Sequence, residues 1–564
     1  MQPKKILITS ALPYANGPLH FGHIAGAYLP ADSYARFERL MGSDVLYVCG
    51  SDEYGIAITL SSDLAGRTPQ EHVEMFHRIN RDFFRQLNFS FDHYSRTTWP
   101  GHIPTVQAFF LDLLKNGYIE EKTENHLYSE KEKRFLADRY VEGTCPKCGF
   151  EKARGDECGK CAASFEATDL INPRSRLTKS PLVLKPSKHW YVRFDLFKPR
   201  LMEWIKTKNW KPAVLGLAGQ YLDDLKPRAI TRDATWGVPI PLPKTEGKVL
   251  YVWFDAPIGY ISAAKEWAET TGDPKKWEKY WLDPKTRLVH FIGKDNIPFH
   301  TVFFPAMIMG QNTPYKLPDE VPANEFLLLE GRQFSKSDDW YIDLKRFFAS
   351  YSADQIRFYL AANAPESADA EFTWKEFQNC SNGLLLGKLG NFVNRVLVFV
   401  SKQTGGLIPE AKEESFSDED RLFSKRMQEL LDQIQKAYSA FSLRKAAALS
   451  MELAALGNTY FDFQKPWALA KDPDNLGKLA NCLYLSLKCM QLLALALFPI
   501  IPASCQKIWA FLGFSSDLEK HRWPQVAKMP LPALQKLGAF SVLFRKIEDS
   551  EILQEMELLK KKQA

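Results

Sequence analysis

The sequence predicts a parallel α/β unit, interrupted by a cysteine-bearing insertion and followed by an all-helical bundle. Three observations carry that prediction. β-type runs alternate with helix-compatible runs over the first hundred or so residues, as in Lys5 to Thr9, His20 to Met41, Asp44 to Cys49 and Pro69 to Gln86; this is the pattern of parallel strands joined by crossover helices. Four cysteines cluster between Cys145 and Cys161 among short polar segments. Beyond about residue 385, apolar residues recur at Leu385, Leu389, Phe392, Val396 and Phe399, stepping by four and three along one helical stripe.

At 564 residues, 45% of them hydrophobic, the chain exceeds what one core accommodates. Residues 1–116 read as the first half of the α/β unit and 117–230 as the insertion. Strand-like runs return at Val249 to Phe254 and Leu288 to Ile292, making 231–325 the second half. Residues 326–385 carry a loop after Phe326-Leu327-Leu328-Leu329. The bundle occupies 386–546, and 547–564 reads as a docked terminal helix with a frayed tail.

Lys plus Arg total 73 against 67 for Asp plus Glu, a net charge of +6. So small an excess permits nucleic-acid binding without arguing for it, because a polyanion site needs a local patch. Met1-Gln2-Pro3-Lys4-Lys5 runs straight into a strand, which leaves no room for an apolar signal region, and no run is expected to reach membrane-spanning length. The expectation is a cytoplasmic protein without a membrane partner. Cys49, Cys380, Cys482, Cys489 and Cys505 are scattered and read as small core residues in a reducing compartment.

The clustered cysteines form two CxxC pairs, Cys145 with Cys148 and Cys158 with Cys161, nine residues apart. Two such knuckles close a tetrahedral thiolate site around one structural Zn2+, and four protein ligands leave no open position for chemistry. A redox pair would instead be a single CxxC at a helix start.

Chemistry is carried by two distant segments. His20-Phe21-Gly22-His23 follows the first strand and a turn containing Pro13 and Asn16-Gly17-Pro18, so it opens a helix. A helix amino terminus attracts phosphate, and two imidazoles three residues apart can donate to charge developing on phosphate oxygens. Gly22 lacks a side chain and lets a flat ring approach the backbone. About three hundred residues later, Arg332-Gln333-Phe334-Ser335-Lys336-Ser337 offers a mobile cation between two hydroxyls, suited to clamping a polyphosphate.

The pair resembles the HIGH and KMSKS signatures of class I aminoacyl-tRNA synthetases. Between them, Ala11 to Gly17, Gly50 to Gly55, Tyr251 to Tyr260 and Gly293 to His300 look like the methionyl-tRNA synthetase family along nearly the full chain. The resemblance implies a Rossmann-type catalytic domain, a connective insertion with a zinc knuckle and an α-helical anticodon-binding domain. It implies ATP-dependent activation of L-methionine, with Mg2+ accompanying ATP, and transfer to initiator and elongator tRNA(Met). His20, His23 and Lys336 would be catalytic, and Gly22, Asp295, Arg332 and Ser335 would join them in binding ATP. Asp52 would hold the α-ammonium. Leu12, Tyr14, Trp253, Ala256, Pro257, Tyr260 and His300 would surround a thioether, which aromatic rings contact favourably. Asn391, Arg395 and Trp467 would read the anticodon, with Lys388 on the same helix side. In the second signature Gln333 replaces a lysine and Phe334 a methionine, so Lys336 becomes the principal lysine of that loop and Arg332 an adjacent cation. No β-rich module follows the bundle, and a monomer is expected. A class I synthetase for another apolar amino acid, a noncatalytic RNA-binding paralogue and a small-molecule adenylyltransferase stay open at this point.

Overall fold

A computed structural model describes residues 4–136, 140–155, 158, 160–161, 167–335 and 339–561. Lys336 and Ser337 lie outside the described residues. Five parallel strands form the central sheet in the order Ala323–Asn324, Arg287–Gly293, Lys5–Ser10, Asp44–Ser51, His93–Arg96. Ile6, Leu7 and Ile8 are all buried, because crossover segments cover both faces and alternation is lost. The chain leaves the first strand towards one edge and returns far later on its other side. That reversal opens a crevice at the carboxyl ends of the strands.

The helix after the first strand starts at Phe21–His23, widens into a π-turn at Ile24–Tyr28 and continues through Leu29–Met41. It stops at Gly42, whose φ of 91° is the left-handed conformation that ends helices. Pro69–Gln86 is helical as expected, opened by a reciprocal cap between Thr68 and Glu71. One expectation fails here. In Val249 to Phe254 only Lys248–Leu250 is a strand, paired antiparallel with Thr231–Asp233 outside the parallel sheet, and Val252–Asp255 is a helical turn. A short apolar run does not distinguish a strand from a buried helical turn.

The insertion is built on a long antiparallel pair, Ile119–Ser129 with Val183–Val192. A smaller sheet of Ala153–Arg154, Val141–Thr144 and Ile171–Ser175 carries the cysteines, and Cys145 and Cys158 are buried with Leu127, Tyr140, Val141 and Leu170.

The carboxyl-terminal half is helical: Asn391–Thr404, Asp418–Ser439, Leu443–Gln464, Leu476–Leu497 and Pro502–Phe511, with Asp549–Lys561 as the tail helix. Leu385, Leu389, Phe392 and Val396 are buried as the stripe predicts. This bundle shares one core with the central sheet, and the buried Arg357 guanidinium bridges them, donating to Asp32 Oδ2 at 2.6 Å and to the Ile500 carbonyl at 2.6 Å. Four of the scattered cysteines are buried and Cys380 is half-buried.

The expectation about membrane-spanning length also needs correction. Two helical stretches, Trp374–Thr404 and Pro473–Leu497, are long and apolar enough to cross a membrane by length and composition. The second is 83% buried within the bundle, and a helix packed on all sides is apolar all round for that reason.

Candidate active site

A cleft of ≈ 510 Å³ lies at the carboxyl ends of the sheet strands. Leu12 and Tyr14 follow the first strand, Asp52 the second, and Asp295 and His300 follow Arg287–Gly293. These residues line the cleft together with His20, Gly22, His23, Trp253, Ala256, Pro257 and Tyr260. Arg332 and Ser335 do not. The Arg332 guanidinium carbon sits 4.7 Å from the centre of the Trp340 ring, and Ser335 exchanges backbone hydrogen bonds with Trp340 at 3.0 and 2.7 Å. Gln333 and Phe334 line the cleft in their place.

Phe21 is fully buried against Phe347 and Phe372, which anchors the start of the signature helix. The His20 backbone N–H donates to His23 Nδ1 at 3.2 Å. Since Nδ1 accepts, a neutral His23 carries its proton on Nε2, where it can serve as a donor. A Cβ on Gly22 would lie 3.0 Å from His20 ring atoms and 3.3 Å from Phe334 Cδ2. The close approach read from Gly22 is therefore present, but the rings making it are those of His20 and Phe334.

At the other end of the cleft Trp253 stacks on Phe299 with centroids 3.9 Å apart, and Tyr14 meets Trp253 edge-on. His300 Nδ1 lies 3.0 Å from the Asn296 carbonyl and Nε2 lies 2.8 Å from the Tyr260 hydroxyl. The carbonyl can only accept, so Nδ1 bears the proton and Tyr260 donates to Nε2. Burial lowers the His300 pKa to about 4, so the ring is neutral near pH 7.

Asp52 is 3% exposed, and its Oδ1 has no hydrogen-bond partner among the described residues. Burial, then the neighbouring Asp255, raises its pKa well above the ordinary carboxylate value. Asp255, absent from the residues singled out in the sequence, is fully buried with neither oxygen hydrogen-bonded among the described residues. His102 Nε2 lies 3.5 Å from its Oδ2. The only signal for Asp255 was its place between Trp253 and Ala256. Nearby Arg96 is paired with Glu53 and Glu74, and among the described residues neither Asp52 nor Asp255 forms an ion pair with a lysine or arginine.

In the insertion the sulfurs of Cys145, Cys148, Cys158 and Cys161 all lie within 4.8 Å of one another. Cys145 to Cys161 is 3.9 Å and Cys148 to Cys158 is 3.6 Å. Tetrahedral thiolates at the usual zinc–sulfur bond length would be about 3.8 Å apart. The four residues therefore fit a metal ion.

Asn391 is exposed and Arg395 half-buried on Asn391–Thr404. Arg395 pairs with Asp462 and lies over the Phe461 ring, whose centroid is 6.4 Å from that of Trp467, and Trp467 is 43% exposed. Arg395 and Trp467 thus meet through Phe461 at one surface.

A family model described as class I tRNA synthetases (M) matches residues 6–397, and one described as the anticodon binding domain of methionyl tRNA ligase matches 408–560. The methionine–tRNA ligase of Protochlamydia amoebophila is 62% identical over 560 residues, covering 99% of this chain and 80% of that protein. That of Chlamydia caviae is 52% identical over 518 residues, covering 92% and 93%. Among solved structures, Mycobacterium tuberculosis methionyl-tRNA synthetase in complex with methionyl-adenylate has the same fold, with a TM-score of 0.79 at 24% identity over 96% of this chain and 100% of that one. With the first model alone spanning more than half the chain, and these relatives covering nearly all of it, the chain belongs to the class I tRNA synthetases, in their methionyl branch.

Proposed function

We propose that this chain is a methionine–tRNA ligase: it joins L-methionine to ATP, releases pyrophosphate and passes the methionyl group to the 3′ end of initiator and elongator tRNA(Met). The observation that carries this reading is a single cleft holding the first signature's imidazoles at one end and, at the other, a buried carboxylate beside an aromatic pocket. A carboxylate oxygen of methionine attacks the α-phosphorus in line and the bond to the β-phosphate breaks. A ribose hydroxyl of the terminal adenosine then attacks the carbonyl carbon, the bond from that carbon to the phosphate oxygen breaks, and AMP leaves as the hydroxyl proton passes to its phosphate. Neither step needs a side-chain nucleophile; both need alignment and charge neutralisation. His20, His23 and Lys336 supply the neutralisation with Mg2+ on the ATP, Gly22 and Asp295 seat the nucleoside, and Asp52 holds the ammonium. Arg332 and Ser335, which lie beside the cleft, support the loop. Leu12, Tyr14, Trp253, Ala256, Pro257, Tyr260 and His300 select the thioether. Asn391, Arg395 and Trp467 bind the unpaired anticodon bases, the exposed tryptophan by stacking. The five scattered cysteines, none of them in a disulfide, suit a reducing cytoplasm, and a monomer suffices for these contacts.

The test is pyrophosphate exchange with each of the twenty amino acids. Methionine should support exchange at least a hundredfold better than leucine or cysteine. Exchange driven best by another amino acid would reject the assignment, and tight tRNA binding with no exchange would favour the noncatalytic alternative.

One Zn2+ held by the four cysteines would tie the insertion together without touching substrate. Cys148→Ser is expected to lose bound zinc, measured by atomic absorption, and to expose the 117–230 segment to proteolysis. Zinc retained at one equivalent would count against this ligand set.

A further inference from the structure

A stack of rings links the two signature segments. The His20 imidazole has the His23 ring at 3.7 Å, inclined by 30°, and the Phe334 ring at 4.6 Å, inclined by only 3°. Phe334 comes from a short hairpin, Leu327–Leu329 with Arg332–Gln333, closed by the Ser335–Trp340 bridge. Trp340 is buried and its indole N–H donates to the Leu329 carbonyl at 3.0 Å, so the strand presenting Phe334 is anchored in the core.

We propose that Phe334 is a positioning residue for the first signature: its ring fixes the plane in which His20 meets the phosphates of ATP. The proposal rests on reading this cleft as the ATP site. The last torsion of a histidine joins a tetrahedral carbon to a planar ring and is broad, so the side chain sets its own plane only weakly. A ring N–H donates within that plane, and its direction decides whether the hydrogen bond reaches a phosphate oxygen. A parallel aromatic face selects one plane before substrate arrives, which is the preorganisation that phosphoryl chemistry rewards. Gly22 belongs to the same arrangement, because a methyl group there would press on both rings. A flat side chain is required at 334, rather than mere bulk.

The test compares Phe334→Tyr, which keeps the flat face, with Phe334→Leu, which keeps apolar volume without it. Phe334→Leu should lower kcat of methionine-dependent pyrophosphate exchange tenfold or more, with KM for methionine and ATP within threefold. Phe334→Tyr should stay within twofold of wild type. The His20 ring-proton resonance, assigned by its loss in His20→Gln, should be shifted upfield in wild type and Phe334→Tyr and relax in Phe334→Leu. Full activity in Phe334→Leu, an equal loss in Phe334→Tyr, or a loss confined to the ATP KM would overturn the proposal. So would a His20 resonance unmoved by Phe334→Leu. If wild type exchanges no pyrophosphate, it is the reading of the cleft that fails, and the spectra still judge the stack.

Discussion

Lys336→Ala is expected to slow methionine-dependent pyrophosphate exchange by two to three orders of magnitude while methionine affinity changes less than about threefold. The argument comes from what surrounds the cleft. Its described lining contains no lysine or arginine, and the only basic side chains there are His20, His23 and His300. His300 lies at the aromatic end of the cleft and is neutral near pH 7, held to Tyr260 and the Asn296 carbonyl. Gln333 lines the cleft without a charge, and Arg332 lies over Trp340 beside it. On the proposed function, charge developing as pyrophosphate departs falls to the two imidazoles and to Lys336, which lies outside the described residues. A cation acting mainly in the transition state changes kcat far more than ground-state methionine binding. Steady-state exchange with methionine varied at saturating ATP checks this, and an unchanged rate would remove Lys336 from the reaction.

Asp52→Asn should cut kcat/KM for methionine about a thousandfold, because it leaves a buried ammonium without a counter-charge, a loss of about 3–5 kcal/mol. The variant is nearly isosteric, so a loss below tenfold would place the ammonium elsewhere. A pH dependence follows from the same group. Burial, then Asp255, raises the Asp52 pKa above its ordinary 3.8, and burial raises that of Asp255. Without methionine the folded protein therefore holds protons that the unfolded chain has already lost. Stability from these groups is greatest below the ordinary carboxylate range and declines as pH rises from there through the raised folded values. An ammonium at Asp52 favours the ionised form, so methionine binding should expel a proton in that window and strengthen with pH across it. Calorimetry in two buffers of different ionisation enthalpy measures the proton count. A count of zero throughout the window would contradict the assignment of Asp52.

Features set by neighbouring residues were legible in the sequence, and those set by distant pairs were not. The strands at Lys5 and Asp44, the capped helix from Pro69 and the apolar stripe from Leu385 each follow from local periodicity. Of the strand-like run Val249 to Phe254, only Val249 and Leu250 are strand; the rest enters a buried helical turn, which uses the same apolar residues. The buried helix from Pro473 reaches membrane-spanning length for a related reason: apolarity along a chain does not say whether protein or lipid covers it. Asp255 carried no sequence signal beyond its neighbours, because its effect depends on being enclosed near Asp52, about two hundred residues away.

From the sequence alone came the order of the units, the four-cysteine set and the residue types of the cleft, since these depend on spacing and chemistry along the chain. Only the tertiary structure decided that Arg332 lies against Trp340, that Phe334 stacks on His20, and that Asp52 and Asp255 share a buried acidic site in which neither is ion-paired with a lysine or arginine among the described residues. The physical reason is common to all three. Stacking, burial and charge coupling act over a few ångströms through space, and folding sets those distances between residues that the linear chain leaves far apart.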